Sequence, residues 1–128
     1  MNNKNTITLW RPVGPNELKL IEESGWKRFP KRLAQQPIFY PVLNEEYAVQ
    51  IARDWNVNAS GSGYVTRFEV LEDYVSKFKV ENVGGPIHNE LWVPAEDLET
   101  FNDHIVGDII VTHGYYAENF QGERKYKS

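Results

Sequence analysis

The sequence predicts an α+β domain, and three observations carry the prediction: apolar residues switch between two-residue and helical spacing, the strands so marked are short, and prolines bound most of them. Such strands suit a mostly antiparallel sheet with three to four short helices. A doubly wound parallel sheet would need long, uninterrupted βα repeats. At 128 residues, with 41% hydrophobic and 13% aromatic side chains, the chain can bury one sizeable core. The expected division is a single domain over residues 1–116 and a polar, frayed tail over 117–128.

Ile7, Leu9 and Arg11 alternate with Thr8, Trp10 and Pro12, which reads as a strand that ends at the proline with an arginine at its last inward position. Pro15 then opens a helix with Leu18 and Ile21 as its buried stripe and Gly25 as its stop. Residues 26–36, rich in Lys, Arg, Pro and Gln, follow neither period and read as a loop. PIFYPV, residues 37–42, is a short aromatic strand between prolines, suited to an edge. Asn44 caps the next helix, where Ala48, Ile51, Ala52 and Trp55 share a buried face.

NVNASGSG, residues 56–63, reads as a flexible turn before a strand in which Tyr64, Thr66, Phe68 and Val70 alternate with Val65, Arg67 and Glu69. A brief helical turn over 71–78 comes next, and Gly84-Gly85-Pro86 breaks the chain ahead of a strand ended by Pro94. Leu98, Phe101 and Ile105 mark a helix stopping near Gly107, and 108–113 is the last strand.

The formal net charge of −4 gives no footprint for duplex DNA or an anionic membrane. The chain has no cysteine, so disulfides and thiolate chemistry are excluded. MNNKNTITLWRP lacks the apolar run of a secretion signal and no stretch reaches the roughly 20 apolar residues of a membrane span, so a cytoplasmic location is expected. His88, His104 and His113 lack metal-ligand spacing, so no metal is expected. GxGxxG, P-loop, GxSxG and HExxH patterns are absent.

The stretch GGPIHNELWVP places His88, Glu90 and Trp92 on one face of a strand and Leu91 and Val93 on the other. A carboxylate between ring systems is partly desolvated, which strengthens its attraction for a cation. The alternative is the solvated outer face of an antiparallel strand, where Glu is ordinary and Trp92 covers a neighbour.

A strand ending in Arg11, an aromatic strand end at Phe39-Tyr40 running into NEEYAVQIARDW, and a later strand bearing Glu90 together resemble the three-motif layout of the ADP-ribosyltransferase superfamily. His88 to Glu90 resembles its third-motif Gln/Glu-x-Glu, with His at the first position. Through RPVGPNELKLI, QPIFYPVLNEEYA and ELWVPAEDLETFN, most of residues 6 to 111 also resembles small bacterial proteins labelled ADP-ribosylation/crystallin J1. That label brings no hydrolase activity with it, because the glycohydrolases are larger, all-helical and metal-dependent, with Asp-rich motifs this chain lacks.

The resemblance implies a split sheet and NAD as the substrate, cleaved at its nicotinamide–ribose bond with transfer to an unidentified acceptor, which includes the option of a protein. Arg11 would hold a phosphate or ribose, Tyr40 would stack on nicotinamide, and Glu90 would bind the ribose 2′-hydroxyl and stabilise the oxocarbenium-like transition state. His88 would orient the acceptor or act as a base, Thr66 would stand in for the Ser/Thr of another subclass, and Trp92 would join the binding face. The local alternatives are an Arg11 paired with a nearby carboxylate, a Tyr40 in the core, a His88 bonded at the surface and a Thr66 with no role beyond its strand. A non-catalytic module of the same fold would instead bind a nucleotide or protein through Tyr40, Trp92 and the basic loop from Lys27 to Arg32.

Overall fold

Alternating side chains put Leu9, Arg11 and Val13 on one side of the first strand and Trp10 on the other, and the rest of the molecule is laid against these two faces. The computed structural model describes residues 5–128; residues 1–4, counted in the expected domain, lie outside them. In chain order the elements are β1 (Thr6–Val13), α1 (Pro15–Glu23), β2 (Ile38–Phe39), α2 (Glu45–Ile51), a π-helical segment (Ala52–Asn56), α3 (Val57–Ser60), β3 (Ser62–Leu71), α4 (Glu72–Val75), β4 (Val80–Asn82), β5 (Asn89–Leu91), β6 (Val93–Pro94), a 3-10 turn (Ala95–Asp97), α5 (Leu98–Asp103) and β7 (Ile105–Tyr116). The class is α+β, and every strand pair is antiparallel.

The main sheet has the order β1-β3-β7. Val42 bridges Trp10 of β1 on one side and Glu90 of β5 on the other, so the β4–β5 hairpin joins the sheet through the short segment from Pro41 to Leu43. Leu9, Val13, Phe68 and Ile109 face Ile21, Phe39, Phe101 and Leu98 in the larger core. Val65 lies on the other face with Val42, Ala48 and Ala52 in a smaller one. Central β3 is therefore buried on both faces along its first half.

Several local expectations change in the structure. β1 runs through Pro12 to Val13 because Trp10 already makes the last backbone bond on that edge, to Val42, and the donor that proline lacks has no partner strand to miss. The helix after Asn44 does not stop at Asn56. Asn44 Oδ1 accepts from the Tyr47 N–H at 3.2 Å, and helical backbone then continues through the π-helical segment to Ser60, ending at Gly61 with φ 85°. The wider π-helical turns rotate the later side chains about the axis, so Trp55 is 73% exposed while Ala48 and Ala52 are buried.

Gly107 does not end a helix: α5 stops at Asp103, Ile105 already belongs to β7, and Gly107, with φ 78°, sits where the β3–β7 register shifts. The expected strand before Pro94 divides into β5 and β6, paired with β4 and β2 respectively. The tail is not frayed. Tyr126 packs on Tyr64, its N–H donates to the Tyr116 hydroxyl at 3.0 Å, and the Gly114 N–H donates to the Lys127 carbonyl at 3.1 Å. Among the described residues no helix is long and apolar enough to cross a membrane.

Candidate functional site

The bridge through Val42 holds β5 beside the edge of β1, with α2 crossing the same face. There a cleft of about 320 Å³ opens, lined by Arg11, Pro12, Tyr40, Val42, Ile51, Glu90 and Trp92. That volume is near the lower end of the roughly 300–1,000 Å³ typical of ligand sites. Arg11, Tyr40, Glu90 and Trp92, drawn from three separate stretches of sequence, thus share one cleft.

Glu90 is the carboxylate of the cleft lining, and neutral donors hold it in place. The Tyr47 hydroxyl donates to Oε2 at 2.6 Å and the Trp92 indole N–H donates to Oε1 at 3.1 Å. Burial, and then the carboxylate itself, push Tyr47 well above its ordinary value, so it keeps its proton and its donor role. A carboxylate has about four acceptor sites, so each Glu90 oxygen can take a further hydrogen bond from a ligand. Tyr40 and Trp92 meet edge to face with centroids 5.8 Å apart, forming an aromatic wall beside the carboxylate.

Arg11 is 8% exposed and already partnered. Glu17 on α1 accepts from Nε at 2.6 Å and from Nη2 at 3.0 Å, Nη1 donates to the Tyr40 carbonyl at 3.3 Å, and the guanidinium lies 4.6 Å from the Phe39 ring centroid. The local-carboxylate arrangement and the place in the cleft are therefore both present. Thr66 is buried mid-sheet, outside the cleft lining, and its hydroxyl donates to the Arg11 carbonyl at 2.8 Å.

His88 is also outside the lining, against the Tyr47 ring at 4.7 Å. Its Nδ1 accepts from the Gly85 N–H at 2.8 Å, which leaves the proton on Nε2, 3.2 Å from Gln50 Oε1. Both ring nitrogens are used inside the protein. The basic loop disperses in a similar way: Lys27 pairs with Asp108, Arg28 with Glu99 at 3.2 Å and Asp103 at 2.9 Å, and Arg32 Nε donates to the Ile38 carbonyl at 3.1 Å.

Sequence reasoning missed Tyr47 and Glu17. Tyr47 lies three residues after the Asn44 cap, and helical spacing toward the sheet was its available signal; nothing local marks Glu17 as the partner of Arg11. A hollow of similar volume, about 330 Å³, lies by Tyr74, Lys77 and His104 and contains none of the singled-out residues except the half-buried His104. Among the described residues no cluster of three or more His, Asp or Glu could hold a metal. No protein-family model, curated protein or solved structure matches the chain.

Proposed function

We propose that the protein binds NAD as a substrate and, in the manner of an ADP-ribosyltransferase, cleaves its nicotinamide–ribose bond. The observation that carries this reading is the shared cleft, in which a carboxylate without a charged partner among the described residues stands beside the Tyr40–Trp92 wall. The aromatic wall suits a flat, cationic ring. Glu90, held from behind by Tyr47 and Trp92, keeps acceptor capacity for the ribose 2′-hydroxyl and stabilises positive charge as it grows at C1′. The C1′–N bond breaks, its electron pair leaves with nicotinamide, and a lone pair of the acceptor forms the new bond to C1′ as the acceptor's proton passes to solvent. With both nitrogens of His88 engaged, this scheme assigns it no proton transfer.

The test is nicotinamide release from NAD by the purified protein. Glu90→Gln is expected to lower release by on the order of 10²–10³-fold while the protein still unfolds in one cooperative thermal transition. A second reading, a non-catalytic binding module of the same cleft, is favoured by one observation: Glu17 already occupies Arg11 through both carboxylate oxygens. NAD binding without release from either protein would decide for it.

A further inference from the structure

Between β1 and the extended segment 38–42 the sheet parts after a single pair. Trp10 and Val42 exchange backbone hydrogen bonds of 3.0 and 2.7 Å. The carbonyls of Tyr40 and Ile38 point to the same side as that of Val42, since alternate carbonyls of an extended chain do. In place of a strand they meet side chains: Arg11 Nη1 takes the Tyr40 carbonyl at 3.3 Å and Arg32 Nε takes the Ile38 carbonyl at 3.1 Å. Carbonyls two residues apart lie about 7 Å apart, so two guanidinium groups stand side by side in the split.

One carboxylate accompanies them. Glu17 is committed to Arg11, and among the described residues Arg32 has no ion-pair partner. Arg32 is half-buried, and burial together with the Arg11 charge pushes its guanidinium below the ordinary value, while the Glu17 charge acts the other way. Arginine stays charged at neutral pH, and its fork matches two oxygens of a phosphate. At the far side of the cleft the Glu90 charge meets, among the described residues, only neutral donors. Arg32 lies outside the cleft lining, next to Arg11 along the split, so cleft and split together form a bipolar site, negative at β5 and positive beyond Arg11.

We infer that Arg32 is the anion-binding residue of this site, taking phosphate oxygens of a nucleotide whose cationic ring lies toward Glu90. The inference rests on the NAD reading for the ring and moves the phosphate contact from Arg11, which Glu17 holds, to the next guanidinium along the split.

Calorimetric titration of the purified chain with NAD, nicotinamide riboside and inorganic pyrophosphate tests it, because the riboside carries the cationic ring without phosphate. Arg32→Gln is expected to weaken NAD and pyrophosphate about tenfold or more and to leave the riboside within about twofold, while Arg32→Lys falls between. A merely structural role for Arg32 would lower all three affinities together, and that result, or an unchanged NAD affinity, overturns the inference. If Arg32→Gln fails to fold, Arg32→Lys carries the same three-ligand comparison. Absence of both NAD and pyrophosphate binding in the wild type also overturns it. Pyrophosphate binding that depends on Arg32, with no nicotinamide release by the wild type, sinks the transferase reading and keeps the anion site. Release and NAD affinity both indifferent to Arg32→Gln do the reverse.

Discussion

A hydroxyl 2.6 Å from Glu90 Oε2 makes Tyr47 the positioning residue of the cleft carboxylate. Tyr47→Phe is expected to cost about 1 kcal/mol of stability, measured by urea denaturation near neutral pH. The raised folded-state value sets the pH dependence. The stability contributed by protonated Tyr47 is complete below its ordinary value of 10.0 and is lost as pH rises above that value toward the folded one. Wild type should therefore lose part of its margin over Tyr47→Phe between about pH 9 and about pH 11, which denaturation at both values reads directly. Glu17 acts at the same scale. Its removal in Glu17→Ala leaves Arg11, 8% exposed, without a carboxylate, and a loss of about 3 kcal/mol is expected in the same assay.

Helix packs closely on strand where the π-helical segment crosses β3. A Cβ at Gly63 would lie 2.2 Å from the Ala52 carbonyl oxygen and 2.7 Å from the Asn56 Cβ, both fixed by the helix. Gly63→Ala should lower stability by about 1–3 kcal/mol, and Trp55→Ala, on the exposed side of the same segment, by less than about 0.5 kcal/mol. Thermal denaturation of the two variants separates a packed face from a wet one. The sequence shows half of this arrangement. Asn44 as cap, Gly25 at φ 79° after α1, and the alternation along β3 are local chemistry and are legible. The π-helical segment is not, because Ala48, Ala52 and Trp55 keep ordinary helical spacing and one residue more per turn leaves no mark in composition. Arg11, Tyr40, Glu90 and Trp92 are legible as residue types, but Tyr47 and Glu17 join them only through contacts 43 and 6 residues distant in sequence, made by the fold.

Across the whole molecule, the last residues close the open edge of β7 near Gly114 and cover Tyr64 and Tyr116 with Tyr126. Removing residues 119–128 should lower the thermal transition by about 5 °C, because partly buried aromatic surface returns to water. The same scale sets how the two parts of the sheet hold together. Val42 donates to the Trp10 carbonyl, and its neighbours Pro41 and Leu43 bond Leu91 and Asn89, so three residues stitch β1 to β5. The Val42 and Leu91 amides can exchange with deuterated solvent only when that seam opens, and the seam is also the wall of the cleft. A compound that binds the closed form slows their exchange by a factor of 1 + [L]/Kd. Deuterium uptake at these two amides therefore counts occupancy of the cleft for any candidate compound, in the absence of turnover and before an acceptor is known.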